Sequence, residues 1–372
     1  MKAIEHFVER RGAVLACAVV LVWAALGALT PTRGLAQAAT GQKPYDRETA
    51  KQLYRRPAAP PFPADNPHTP AREALGKALF FDPRLSAANS ISCASCHNPA
   101  FSWGDGLPKG VGHGSKEVGR RTPTILNVAW GELFFWDGRA ASLEEQALGP
   151  IAAPGEMNLP LDQMVARLKA IHGYHPLFEA AYPGEGISEK TVAKAIATFE
   201  RTVVSGIAPF DEWIAGRDSA ISPAAQRGFD LFNTKAECAK CHTGWNFTDD
   251  GFHDIGLADA DRGRGVHLPQ LESMQHAFKT PTLRNVRLRA PYMHDGSEKT
   301  LEDVVSYYNK GGTVRRPSVS PDVRPLHLTA AEMADLVAFL DTLTSQDPPV
   351  VIPVLPRGEG QPRLATIASD DQ

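Results

Sequence analysis

This chain has no cysteine to spare for a structural disulfide. Its 372 residues include five cysteines: Cys17 lies in an N-terminal apolar run, and the others form two close pairs, Cys93/Cys96 and Cys238/Cys241. An excess of one charge is also missing. Lysine and arginine number 39 against 42 acidic residues, a formal net charge of −3, which excludes a general nucleic-acid binder and predicts no dominant electrostatic partner. Alternating strand-like runs are scarce, which argues against a fold built on sheets. Beyond residues 13–29, no segment is long and apolar enough to cross a membrane. Glycine and proline, in contrast, are plentiful at 31 and 30 residues, a composition of short helices joined by long loops.

The N-terminus carries Lys2, Arg10 and Arg11, then the apolar run, then small residues around Ala36 and Ala38. That is the layout of a secretory signal peptide over residues 1–38. An uncleaved anchor is the rival, because the run is close to the lower length limit for a span. A lipoprotein cleavage before Cys17 would leave most of the apolar run on the mature chain, which disfavours it.

The cysteine pairs sit in Cys93-Ala94-Ser95-Cys96-His97 and Cys238-Ala239-Lys240-Cys241-His242. Each is a C-x-x-C-H, the attachment signature of c-type haem. Its thiols add across the haem vinyl groups, and the adjacent histidine becomes the proximal iron ligand. A zinc site would spend both pairs on one metal and need no histidine after each. A redox dithiol would occur once, near a βαβ pattern. The motifs therefore predict two covalently bound haem c groups, on Cys93, Cys96, Cys238 and Cys241, with His97 and His242 as metal ligands. Haem attachment of this kind takes place outside the bacterial cytoplasm, so export to the periplasm is expected.

Residues 39–70, rich in proline and alanine, read as an extended arm. Helical period appears over 71–80, 161–172, 188–204, 300–308 and 329–342. Further helices are expected from Ser142, with Glu145 suggesting a capping box, and from Ser222, with Pro223 at the first helical position. Residues 205–220 read as a crossing between domains, and 346–372 as a flexible tail. Each half runs helix, short link, C-x-x-C-H, long loop and terminal helices. The expected fold is mainly α, with two cytochrome c-like domains at 71–205 and 206–345 and their haem sites bridged at the interface.

Five blocks carry a family resemblance: Leu79-Phe80-Phe81-Asp82-Pro83-Arg84-Leu85-Ser86, Phe135-Trp136-Asp137-Gly138-Arg139-Ala140, Leu143-Glu144-Glu145-Gln146-Ala147-Leu148-Gly149-Pro150, Pro281-Thr282-Leu283-Arg284-Asn285-Val286 and Ala290-Pro291-Tyr292-Met293-His294-Asp295-Gly296. From about residue 71 to 343 the chain resembles the bacterial di-haem cytochrome c peroxidases, the superfamily that contains MauG. The resemblance implies an N-terminal haem that meets hydrogen peroxide, a C-terminal haem that relays electrons, and a tryptophan between them.

It also implies roles for particular residues. His113, flanked by Gly112 and Gly114, matches a distal histidine that binds the first iron at rest and leaves on activation. Glu156 matches the distal glutamate that moves protons during peroxide cleavage, with Gln146 supporting it. Trp136 matches the inter-haem tryptophan, whereas Trp103 and Trp130 read as packing residues. At the second haem the position usually held by methionine is Tyr308, as in MauG. A phenolate is a harder donor than a thioether, and the two irons could then share oxidising equivalents as ferryl species through Trp136. Met274 and Met293 lie off the ligand position. The family often holds calcium between its domains with an asparagine. Arg121 stands at that place, and a cation there argues against the ion.

Three functions follow from this resemblance. The leading one is a periplasmic peroxidase fed by a small cytochrome c or cupredoxin. The second is a MauG-like enzyme that oxidises residues of a partner protein substrate. The third is a non-enzymatic electron carrier. Monomer and homodimer both fit.

Overall fold

Side-chain caps start the longer helices where the sequence places them. Thr69 accepts the amide of Arg72, Ser188 that of Thr191, Ser222 that of Ala225, Thr300 that of Asp303 and Thr329 that of Glu332. Each bond satisfies an otherwise unpaired donor of the first turn. The computed structural model describes residues 45–358. The described helices are α1 (Arg47–Leu53), α2 (Pro70–Phe80), α3 (Cys93–Cys96), α4 (Leu143–Ala152), α5 (Leu161–Lys169), α6 (His175–Ala181), α7 (Glu189–Thr202), α8 (Pro209–Ile214), α9 (Pro223–Asn233), α10 (Leu301–Lys310) and α11 (Ala330–Asp341). Two two-residue strands, β1 (Phe252–His253) and β2 (Phe278–Lys279), pair antiparallel. Among the described residues no helix is long and apolar enough to cross a membrane. The expected signal peptide lies outside them.

The apolar faces of these helices build two cores. The first gathers Leu75, Leu79, Phe80, Trp103, Tyr174, Phe178, Ile196 and Phe199. The second gathers Tyr54, Phe210, Trp213, Phe229, Phe232, Phe247, Phe339 and Leu340. In each core the helix before the haem motif crosses the last helix: α2 on α7, and α9 on α11. A glycine makes both crossings close. A Cβ at Gly76 would lie 1.9 Å from the Ala195 carbonyl oxygen, and one at Gly228 would lie 2.0 Å from that of Asp335. The repeated pattern in the sequence is thus a repeated helix crossing.

Three stretches differ from expectation. The arm is not extended throughout: α1 lies in it, and Tyr54 is fully buried against Phe210, Phe229 and Phe247. Aspartate at the cap outweighs the proline-rich context, as Asp46 accepts the Thr49 amide. The crossing contains α8, whose Phe210, Trp213 and Ile214 enter the second core. The tail is anchored through residue 357. Arg84 donates to the Pro356 carbonyl at 2.9 Å, and the Gly173 amide donates to that of Arg357 at 3.0 Å. Residues 359–372 lie outside the described part.

The Gly228 crossing gives a direct test. Gly228→Ala should lower stability by about 3 kcal/mol, because backbone cannot yield as a side-chain tip can. Gly155→Ala, where a Cβ meets nothing within 4 Å, should leave the urea midpoint of the holoprotein unchanged.

Candidate functional site

Each C-x-x-C-H sits on a single helical turn, so that its histidine amide donates to the carbonyl of the first cysteine, at 2.8 Å in both motifs. The His97 Nδ1 faces the Trp103 carbonyl at 3.3 Å, and the His242 Nδ1 faces the Phe247 carbonyl at 2.9 Å. A carbonyl can only accept, so Nδ1 carries the proton and Nε2 keeps its lone pair for a metal. Desolvation lowers the pKa of both imidazoles and keeps them neutral. The four motif cysteines form no disulfide, and burial raises the Cys96 thiol to about 11 and the Cys238 thiol to about 12. Such thiols are poor thiolate metal ligands. Each motif opens onto a cavity, ≈ 510 Å³ at the first and ≈ 240 Å³ at the second. Neutral Nε2 acceptors, unpaired thiols and apolar cavities fit two c-type haems.

The first cavity is lined by Glu156, Gln146, Trp136 and Glu200 besides the motif. Gln146, Ala147 and Pro150 line it from α4, whose start is fixed by Ser142 accepting the Glu145 amide. Glu145 reaches back to the Ala141 amide at 2.8 Å, a variant of the expected capping box. Desolvation raises the pKa of Glu156, and the nearby Arg139 pulls it partly back. A carboxyl poised in this way can both take and return a proton.

His113 is brought to Glu156 by its backbone only. Its amide donates to the Glu156 carbonyl at 2.7 Å. The cavity wall here is Val111 and Gly112, with the imidazole outside the lining. In this conformation the cavity is bounded by the backbone beside His113 and not by its ring. A Cβ at Gly112 would lie 1.9 Å from the Gly155 carbonyl oxygen, so this glycine serves close approach of two loops rather than loop freedom.

Sequence reasoning missed Glu200. It lies on α7, is 4% exposed, and has one carboxyl oxygen without a hydrogen-bond partner. Burial raises its pKa to about 8, so it is a neutral acid at neutral pH. Its neighbour Arg201 pulls it back only in part and is itself held in two hydrogen bonds by Glu144 at 2.7 and 2.9 Å. The available signal was a carboxylate one turn from Ile196, on a helix buried along most of its length.

The second cavity is lined by Tyr308, Met293, His253 and Arg289. The adjacent tyrosines of α10 separate here. The Tyr307 hydroxyl donates to the Ile255 carbonyl at 2.8 Å, whereas Tyr308 is a cavity residue whose pKa is raised by burial. Met293 also lines the cavity, but Met274 does not. Cys241, Asp249 and His253 each offer a ligand atom within 4.8 Å of the others. Cys241 belongs to the attachment motif, however, and Asp249 holds His253 at 2.8 Å, so this trio is not a separate metal centre.

Trp136, Arg121 and Pro123 line both cavities. The indole Nε1 donates to the Arg121 carbonyl at 2.8 Å, and the Lys279 amide of β2 donates to the Trp136 carbonyl at 2.8 Å. The tryptophan is thus pinned from both lobes, with its ring 6.3 Å from that of His294. Trp103 packs on Phe80 and Phe199, and Trp130 on Trp245.

Fold and cavities define a two-lobed c-type cytochrome with two covalently bound haem c groups. Residues 70–219 match the family model of the di-haem cytochrome c peroxidases, and residues 225–344 match that of cytochrome c. The chain is 50% identical to the methylamine utilization protein MauG of Methylorubrum extorquens, over 92% of this chain and 99% of that one. It is 38% identical to the cytochrome-c peroxidase IdrP1 of Denitromonas iodatirespirans, over 82% and 90% of the two chains. A crystal structure of a MauG-like protein associated with microbial copper homeostasis superposes with a TM-score of 0.72 at 33% identity, covering 79% of this chain and 94% of that one. The chain belongs to the di-haem cytochrome c peroxidase family that includes the MauG proteins.

Glu156→Gln should slow the reaction of the diferric protein with peroxide by about 10²-fold or more, read by stopped-flow absorbance. The carboxylate is the form that takes a proton. With its pKa raised above the ordinary 4.5, the wild-type rate should fall as pH drops through that higher value, and this limb should vanish in the variant.

Proposed function

We propose that this chain is a periplasmic, MauG-like di-haem enzyme that uses hydrogen peroxide to oxidise side chains of a partner protein. The observation that carries this reading is Tyr308 at the second haem cavity. A phenolate oxygen there favours the higher oxidation states of iron and lowers the potential, which makes the second haem a poor acceptor from small cytochromes. The position of His113 outside the first cavity and the 50% identity to a MauG protein support it.

The haems supply iron that binds peroxide and holds oxidising equivalents. The protein's own residues do the rest. Glu156 takes a proton from the near peroxide oxygen and returns it to the departing one, while Gln146 on the same cavity wall orients the pair. Trp136 conducts charge between the cavities. Each hydrogen peroxide takes up two electrons and two protons and leaves as two waters, and the partner's side chains supply the electrons.

A second reading is a peroxidase that draws those electrons from a small cytochrome c or cupredoxin. The match to a cytochrome-c peroxidase at 38% identity favours it. Glu156 serves both readings, whereas a plain electron carrier would have no use for two carboxyl groups in the first cavity.

Tyr308→Met discriminates between the two. If the proposal holds, the midpoint potential of the second haem rises by roughly tenths of a volt, peroxide turnover with reduced cytochrome c increases, and oxidation of the partner protein declines. An unchanged potential would show that Tyr308 is not a ligand and would hand the case to the peroxidase reading.

A further inference from the structure

Among the described residues four arginines are buried, and only two of them meet a carboxylate. Arg284 is fully buried and meets Asp211 at 2.8 Å. The half-buried Arg120 likewise binds both Asp137 and Asp261, each at 2.7 Å. Arg201 binds Glu144 at 2.7 Å. Arg121 and Arg289 are 6% and 5% exposed, yet no described carboxylate lies at ion-pair distance from either.

Their protein contacts are carbonyl oxygens only. Arg121 donates through Nη2 to the carbonyl of Arg289, and its buried Nε has no partner. Arg289 donates through Nη2 to the carbonyls of Thr282 at 2.6 Å and Arg284 at 2.9 Å. Carbonyl dipoles satisfy N–H groups but cancel no charge. Burial and the mutual repulsion of the two guanidinium groups push Arg289 down to about 9. Asp105 attracts Arg121 from a distance, but it is already engaged by the Thr122 hydroxyl at 2.6 Å. Two adjacent buried cations without an anion are strongly unfavourable, so the arrangement points to a missing anion.

The location says which anion. Both arginines line the second cavity, and Arg121 lines the first as well. Haem c brings two carboxylates, the propionates, and a guanidinium binds a carboxylate through paired hydrogen bonds. We propose that Arg121 and Arg289 form a guanidinium clamp for haem propionates at the junction of the two lobes. The fixed charge of the clamp replaces a divalent cation there, so the chain needs no calcium. A cation requires oxygen ligands, and here the junction presents two positive groups instead. Both residues are positioning residues: they set charge and orientation at the haem edge and leave the reacting oxygen atoms to others. The proposal does not depend on which of the two functional readings holds.

The test uses purified holoprotein and reads the haem itself. In Arg121→Met and Arg289→Met, the propionate bending modes in the resonance Raman spectrum should shift, and the midpoint potential of the second haem should fall, because lost positive charge favours ferric iron. Arg289→Lys keeps the charge and should hold the potential near wild type while still shifting the propionate modes. Dialysis of wild type against EGTA should leave spectrum, potential and unfolding midpoint unchanged, with calcium below stoichiometric amount before treatment. Replacing phosphate buffer by a sulfonate buffer should change nothing, since the anion is the haem's own. The proposal is overturned if modes and potentials are unmoved in both methionine variants. It is equally overturned if chelation shifts the wild-type potential and added calcium restores it, or if the potential follows the buffer anion. The chelation and buffer arms need no variant, so they decide the matter even if a substitution prevents haem incorporation.

Discussion

The shared wall between the two cavities is the constraint on which everything else rests. Trp136 and Arg121 belong to both cavities at once. The indole N–H is held by the Arg121 carbonyl, the Trp136 carbonyl by β2 of the other lobe, and the Arg121 amide by the His294 carbonyl at 2.7 Å. The last two bonds join backbone to backbone across the lobes, so the lobes cannot separate without breaking them. An enzyme that must keep two redox centres in electronic contact needs this fixity more than it needs extensive secondary structure. Its helices serve mainly to carry two haem motifs and to close two cores around them.

The chemistry then divides along that wall. On one side, Glu156 and Glu200 place two carboxyl groups with raised pKa values around the first haem. Burial keeps Glu200 neutral, while Glu156 is tempered by Arg139. On the other side, the second cavity offers a phenol, a thioether and an uncompensated guanidinium. In the proposed function one lobe moves protons at peroxide, and the other holds an iron in a high oxidation state. Arg121 and Arg289, buried and without a described carboxylate at ion-pair distance, line the second cavity as well.

Much of this was legible in the sequence, for identifiable reasons. The haem motifs are local, so spacing alone located both cavities and their four anchoring sulfurs. The amphipathic helices were legible from their period, and the helix from Ser222 also from its cap and the proline that follows. Glu156, Trp136, Gln146 and Tyr308 were legible only through their sequence blocks, yet each lines the expected cavity. What escaped were properties of packing. Nothing local distinguishes a glycine that frees a loop from one that lets two loops touch, and Gly112 does the latter. Tyr54 escaped because proline-rich surroundings masked it, and α8 because six residues are too few to show a period. Glu200 and Arg289 escaped because burial without a partner is a tertiary fact.

The most direct measurement is the near-infrared absorption of the diferric holoprotein after peroxide is added. Two haems sharing oxidising equivalents through Trp136 predict a charge-resonance band in the wild type that is absent in Trp136→Phe. A wild-type protein without the band, or a variant that keeps it undiminished, would contradict the account.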